Sequence, residues 1–374
     1  MSARDRLSRV RERMAALGVD LLAVAPGADS RYLLGATPHP DERFSLLLVT
    51  QTALATAVPA LNETGLRHDV GDLEITFAPW ADADGPAAAL DRALGSLALR
   101  PGRVRVAAGD AIRLDHALVL AAALDRAGLD GWPPALLGRD VVAPVRAAKD
   151  ADEVERLGRS AALADEAMRA GFAAVAEGRR ESDVAQAVAA AFAQAGAEAR
   201  FHLVAAGPGS AEPHHPAGSR PIGRGEPVFL DIGCDFEGYQ SDLTRMAYVG
   251  TPDRRYLEVH DTVRRACEAG FGAVREGARA ADVDRAARQV IEAAGYGAYF
   301  VHRTGHGIGL DGHEPPSMQA GDPTLLQPGM TFSIEPGIYI PGAFGCRIED
   351  VVVVEADGHA RSLSGLSHDV EIRP

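Results

Sequence analysis

Lysine is almost missing from this chain. Lys149 is the only one, although arginine brings the basic total to 38. GxxxxGK[ST] phosphate cradles and Schiff-base chemistry both need a lysine, and Lys149 stands in no such motif. Cysteine is scarce as well. Cys234, Cys267 and Cys346 are odd in number and show no CxxC spacing, which argues against a disulfide framework and suggests reduced, buried thiols. No apolar run approaches the ~18 residues a membrane span requires. Met1 to Gly18 has no signal-peptide core and reads as a charged amphipathic helix. Basic runs are absent and the net charge is -14, so neither nucleic acid nor an anionic membrane is the expected partner. The expected location is the cytoplasm.

Several active-site signatures are missing too. There is no GxSxG and no HExxH, since His313-Glu314 opens an HExxH without its second histidine. Gly307 to Gly312 fits GxGxxG in form. Pro315 and Pro316 follow it, so no helix opens there to hold a pyrophosphate.

The content is that of a globular α/β protein: 374 residues, 47% hydrophobic and 24% charged, enough for two domains. Short apolar strands at Asp20–Ala25, Phe44–Thr50, Ala53–Val58 and Val104–Ala107 alternate with helices at Pro86–Ala98 and His116–Ala127. The loop Gly35–Arg43 is rich in breakers. Val141–Arg146 reads as a linker between domains at 1–143 and 144–374. In the second domain Asp150 caps a long helix, roughly 152–176, and a second helix covers 181–195. Strands follow near 201–206, 228–234 and 239–249. The order then repeats: helices at 253–274 and 281–294, and strands near 299–302, 330–340 and 347–354. Two helices followed by strands, twice over, suggest an internally duplicated unit.

Five side chains of metal-ligand type lie in this second half: Asp231, Asp242, His306, Glu335 and Glu349. Asp231 and Asp242 flank a turn at Phe236–Gly238. A hairpin centred near Phe236–Glu237 sets them almost opposite each other on one face. Glu335 and Glu349 flank Pro341–Gly345, and a hairpin centred on Gly342 does the same for them. His306 lies in Thr304-Gly-His-Gly-Ile-Gly309, where glycines let the backbone pass close by. One aspartate at a strand end is most often a turn or capping residue. Five such residues at hairpin spacing point to two hard or borderline divalent cations and hydrolytic chemistry.

The segments Leu230-Asp-Ile-Gly, Ser241-Asp-Leu-Thr-Arg245, His302-Arg-Thr-Gly-His-Gly-Ile-Gly-Leu310, Ser333-Ile-Glu-Pro-Gly-Ile-Tyr339 and Arg347-Ile-Glu-Asp350 resemble motifs of the pita-bread metallopeptidases. The similar branch is the proline-specific one, Xaa-Pro dipeptidase (prolidase) and aminopeptidase P. The likeness is specific over residues 145–374 and looser over 1–140, which look like a creatinase-type N-terminal domain. Creatinase itself lacks the metal ligands. The resemblance implies two divalent ions per chain, Mn2+ foremost, with Co2+ or Zn2+ as alternatives. Asp231 would hold one ion, Asp242 and Glu349 would bridge both, and His306 and Glu335 would complete the second. Glu335 would also shuttle a proton. His214 would bond the substrate backbone, with His215 as its alternative. His313 would polarise the scissile carbonyl. His302 and Tyr339 match substrate-contacting positions, or they buttress the sheet and fill the core. Arg347 would orient a ligand carboxylate, or form an ordinary ion pair. A homodimer is implied as well.

The expected reaction is hydrolysis of the bond preceding proline, in small peptides with proline second. Xaa-Pro dipeptides are favoured, and aminopeptidase P action on longer peptides is the alternative. Some dipeptidase members of the family carry an arginine just after His-Glu-x-Pro. Here Ser317 stands at that place, and Arg43 of the N-terminal domain either substitutes for it in binding the substrate carboxylate or is an ordinary surface arginine. A non-catalytic binding module and an esterase acting on organophosphates are the readings from other classes.

Overall fold

The computed structural model describes every residue except Pro38 and Pro40, so the expected loop conformation at those two prolines lies outside the described residues. The chain divides into two compact units, Met1–Arg146 and Ala147–Pro374. Within the first, the four expected strands join two others, Thr76–Trp80 and Leu136–Leu137, in a six-stranded sheet in the order Thr76–Trp80, Leu54–Pro59, Leu46–Val49, Leu21–Val24, Val106–Ala108, Leu136–Leu137. Its core is aliphatic, from Leu21, Leu46 and Leu48 to Leu90, Leu120 and Leu124. Helices at Ala28–Leu34 and Ala60–Asp69 and the strand Thr76–Trp80 carry too little periodicity to be read in advance. Val141–Arg146 is not an extended linker. It belongs to two helical turns, Gly138–Val141 and Ala143–Ala147, and Val141, Val142 and Val145 are buried.

The second unit is a pita-bread fold of two similar halves. Each half opens with a long helix and a shorter one: Ala151–Ala174 with Glu181–Gln194, then Arg254–Ala273 with Ala280–Ala293. The helix starts match in detail. Asp150 and Asp253 cap the long helices by accepting from Glu153 N at 3.0 Å and Tyr256 N at 2.9 Å. Asp183 and Asp282, both in a first turn, reach back to the N–H of Arg180 and Arg279.

Both long helices also press one glycine against a strand. A Cβ at Gly171 would sit 2.7 Å from Leu230 Cδ2, and one at Gly270 would sit 3.1 Å from Ile334 Cγ2. Leu230 precedes Asp231 and Ile334 precedes Glu335, so each close approach seats a strand directly beside a candidate ligand. Leu230 and Ile334 are fully buried, and such burial stabilises by about 1.5–3 kcal/mol per side chain.

Two expectations need correction. Tyr299–His302 is no strand: Gly297–Tyr299 is a short 3-10 turn, and the Phe300 and His302 carbonyls accept from the Arg288 guanidinium at 3.1 and 2.8 Å instead of from a ladder. The segment 330–340 splits into Thr331–Ile334 and Gly337–Ile340, because Pro336 has no N–H for the ladder.

Candidate metal centre

The long strand Pro227–Phe236 runs into Tyr239–Gln240 through a two-residue turn. Glu237 and Gly238 both have positive φ, 52° and 88°, which suits a hairpin twist. Phe236 therefore pairs with Tyr239, and Asp231 pairs with Thr244 rather than lying opposite Asp242. The hairpin is centred one residue later than expected, which moves the partner by two. A side-chain period of two keeps Asp242 on the face of Asp231. Asp242 itself lies between strands, where Ser241 donates its N–H to Cys234 O at 2.9 Å. A Cβ at Gly233 would come within 2.3 Å of Ser241 O, so this crossing requires glycine.

The second hairpin has the expected centre. Thr331–Ile334 pairs with Asp350–Val354, and Gly337–Ile340 pairs with Phe344–Arg347, in one continuous register about Gly342. Glu335 and Glu349 face each other in the gap between the two ladders. Glu349 N donates to Thr244 O at 3.2 Å, which ties the second hairpin to the first.

His306 occupies the middle of Gly305–Gly307. A Cβ at Gly305 would lie 1.9 Å from Ser333 O, and one at Gly307 would lie 2.4 Å from Pro315 O. Both glycines are there so that three backbones can close up. His306 Nδ1 is 3.1 Å from the Gly307 carbonyl. That contact places the proton on Nδ1 and leaves Nε2 as a lone-pair donor. Nε2 lies 3.3 Å from Glu335 Oε1 and 3.5 Å from Asp242 Oδ2.

Three overlapping groups result: Asp231, Asp242 and Glu349; His306, Glu335 and Glu349; and Asp242, His306 and His313. Within each, one potential ligand atom per residue lies within 4.8 Å of the others. Burial, then the neighbouring Asp231 and Glu335, hold the Asp242 carboxyl above the ordinary range. Burial, Asp242 and Glu335 do the same to Glu349. Glu335 is pushed up to about 7 by burial, against the pull of Arg347. Burial and the His313 ring bring His306 down to about 3. Clustered carboxylates that resist ionisation, beside an imidazole that resists protonation, form a donor set short of positive charge. That chemistry fits divalent cations.

Arg347 is the local cation. Its guanidinium donates to Asp231 Oδ2, to Thr244 Oγ1 at 3.0 Å and to Tyr339 Oη at 3.1 Å. Tyr339 Oη is 2.9 Å from His302 Nε2, and His302 Nδ1 is 2.7 Å from Arg303 O. Burial, followed by Arg347, lowers His302 to about 4. The His313 ring stacks 3.9 Å from that of His306, and burial, then Arg303, lowers its pKa. His214 lines the same cavity, whereas His215 is held by Glu212 at 3.2 Å and Glu181 at 3.7 Å. Arg43 belongs to the first unit, where it pairs with Asp82 at 3.1 Å and Asp41 at 3.2 Å. Cys234, Cys267 and Cys346 are buried free thiols.

Reading by residue type missed four supports. Thr244 Oγ1 lies 3.0 Å from Asp231 and 2.7 Å from Glu349. Ser333 Oγ accepts from His306 N at 3.0 Å and lies 3.2 Å from Glu335. Arg245 donates to the Glu349 carbonyl at 2.6 Å and to Asp350 at 2.6 Å, and Asp350 in turn meets His368 at 2.8 Å. Thr244, Ser333, Arg245 and Asp350 all lie inside the quoted motifs, one to three places from a candidate ligand. That proximity was the available signal.

The cavity above the cluster measures about 760 Å3. Phe201, Leu203, Pro213 and Val301 form its apolar wall, facing His214, His302 and His313.

Comparison with known proteins agrees with this architecture. Residues 155–356 match the family described as metallopeptidase family M24, and residues 6–128 match the creatinase/prolidase N-terminal domain. The chain is 38% identical over 373 residues to a probable dipeptidase PepE of Mycobacterium tuberculosis, covering 99% of this chain and 96% of that one. It is 39% identical over 224 residues to an Xaa-Pro dipeptidase of Pyrococcus furiosus, covering 59% of this chain and 64% of that one. The crystal structure of a prolidase from Thermococcus sibiricus superposes with a TM-score of 0.89 at 30% identity, over the full length of both chains. The chain belongs to the proline-specific branch of metallopeptidase family M24, built on a creatinase-type N-terminal domain and a pita-bread catalytic domain.

Proposed function

We propose that this enzyme hydrolyses the peptide bond preceding proline, with Xaa-Pro dipeptides as its favoured substrates. The observation that carries the reading is the convergence of Asp231, Asp242, His306, Glu335 and Glu349 under a cavity lined by three further histidines. In this reading Asp231 would hold one cation, Asp242 and Glu349 would serve both, and His306 and Glu335 would complete the second. Divalent ions held there would supply Lewis acidity, which lowers the pKa of water to about neutrality.

The chain's own residues do the rest. Arg347 and Thr244 hold Asp231 and Glu349 in place by hydrogen bonds and keep their lone pairs directed. Glu335 accepts the proton of the attacking water and returns it to the prolyl nitrogen, which must be protonated to leave. A neutral His313 donates to the carbonyl oxygen as charge develops there, and one such donor is worth ~3–4 kcal/mol. His214 bonds the substrate backbone, and His302 with Tyr339 closes the wall. An Xaa-Pro bond has no N–H, so the pocket recognises an apolar ring in its place. Manganese as the resident ion, a homodimer and a cytoplasmic location complete the reading, on family resemblance.

Kinetics on Ala-Pro, Ala-Pro-Ala and Ala-Ala after reconstitution with Mn2+ test it. Ala-Pro should be cut fastest and Ala-Ala slowest. Preferential cleavage of Ala-Pro-Ala would establish the aminopeptidase alternative instead. No cleavage of either prolyl peptide would remove the reading.

A further inference from the structure

Two guanidinium groups line the cavity, and they differ in their engagement. Arg347 is enclosed by Asp231, Thr244 and Tyr339. The Arg303 guanidinium makes one hydrogen bond, from Nη1 to Ser317 Oγ at 3.0 Å, and no ion pair among the described residues. A guanidinium stays charged and carries five N–H donors in a planar fork, so most of its donors here lack a protein acceptor. Ser317 is the ladder partner of His306, so the contact anchors the guanidinium one strand away from a candidate ligand.

That position matches a requirement of the proposed reaction, on which this inference rests. In an Xaa-Pro dipeptide the carboxylate carbon is two bonds beyond the scissile nitrogen. Whatever binds it must therefore line the same cavity as the group that attacks the carbonyl. Of the carboxylates that line the cavity, all but Glu212, which pairs with His215, belong to the candidate metal centre, and among the described residues Arg303 has no ion-pair partner.

We propose that Arg303, anchored by Ser317, binds the free carboxylate of the dipeptide's C-terminal proline and so sets the preference for dipeptides. A planar fork accepts a carboxylate through two parallel N–H bonds. A longer peptide presents an uncharged amide at this place and leaves the guanidinium unpaired. Arg43, by contrast, already has three carboxylate partners in its own unit, Asp41, Glu42 and Asp82.

The test uses the full-length, Mn2+-loaded enzyme and three variants, Arg303→Ala, Arg303→Lys and Arg43→Ala. Ala-Pro and its C-terminal amide are compared as substrates and, by competition, as ligands. Melting curves and bound-metal analysis accompany each variant. In Arg303→Ala the preference for Ala-Pro over its amide should fall about 10- to 100-fold, as expected for loss of a hydrogen bond between charged groups. The change should lie in KM more than in kcat, and Arg303→Lys should fall between the two. An unchanged preference in Arg303→Ala, or a loss that appears only in Arg43→Ala, overturns the assignment while leaving prolyl cleavage intact. A wild-type enzyme that does not cut Ala-Pro overturns the proposed function and this assignment together.

Discussion

The Thr244 hydroxyl lies 2.7 Å from the Glu349 carboxylate and so joins the two hairpins that carry the acidic side chains of the site. The same oxygen is 3.0 Å from Asp231 and accepts from Arg347 Nε at 3.0 Å. A hydroxyl has one hydrogen and cannot donate to both carboxyls at once.

Thr244→Val should therefore loosen the centre without emptying the core. Losing a residue that orients metal ligands typically costs 10–100-fold in metal affinity, and a loss of about that size is expected here. Calorimetric titration of the metal-free variant with Mn2+ measures it. Wild-type affinity would show that the hydroxyl is incidental.

Metal removal should expose a pH effect at Glu335, whose folded pKa is about 7 against an ordinary 4.5. A raised carboxyl contributes stability that is present below about 4.5 and lost as pH rises through 7. Compared with metal-free Glu335→Gln, the metal-free wild type should melt progressively lower across that window. Parallel melting curves from pH 4.5 to 8 would contradict this.

His260 should show the opposite sign. It is buried, its Nε2 has no hydrogen-bond partner among the described residues, and burial holds its pKa at about 4 against an ordinary 6.5. A depressed histidine contributes stability that is present above 6.5 and lost as pH falls toward 4. His260→Leu should therefore narrow the acid-induced loss of melting temperature below pH 6.5. An identical acid transition in the variant would assign that loss elsewhere.

Lys149 closes an ion pair with Glu314, and both side chains are buried. Glu314 follows His313, so the pair also holds the loop that carries that ring. Lys149→Met leaves a buried carboxylate without its cation, which costs about 3–5 kcal/mol, and Lys149→Met with Glu314→Gln should recover part of it. Urea denaturation of the three proteins decides this. A single-variant loss well below 1 kcal/mol would mean that the pair is solvated.

Gly305→Ala should be more severe than its size suggests. The new methyl group would meet the Ser333 carbonyl at 1.9 Å, a backbone atom that cannot rotate away. The variant should lose tight Mn2+ binding and melt at a lower temperature. A variant with wild-type metal content would imply that the strands can separate there at little cost.

Much of this was legible in the residues. The Glu335 and Glu349 pairing followed from symmetry about Gly342 because Pro341–Gly345 admits one simple turn, and the register runs unbroken on both sides. The first hairpin was one residue off. Phe236-Glu-Gly238 allows two turn positions, and the choice fell to the left-handed conformations of Glu237 and Gly238. Tyr299–His302 has strand-like composition, but the Arg288 guanidinium captures its carbonyls. That contact lies outside any local window.

Ligand type, order and hairpin spacing are properties of the sequence, because carboxylates at matched distances from a turn must share a face whenever the turn forms. Tertiary structure alone decided which supporting groups reach them. Thr244 joins two hairpins through a residue 105 positions away in the chain, and among the described residues Arg303 has no carboxylate partner. Whether a side chain is paired or free depends on which distant backbone packs beside it, and no local pattern encodes that.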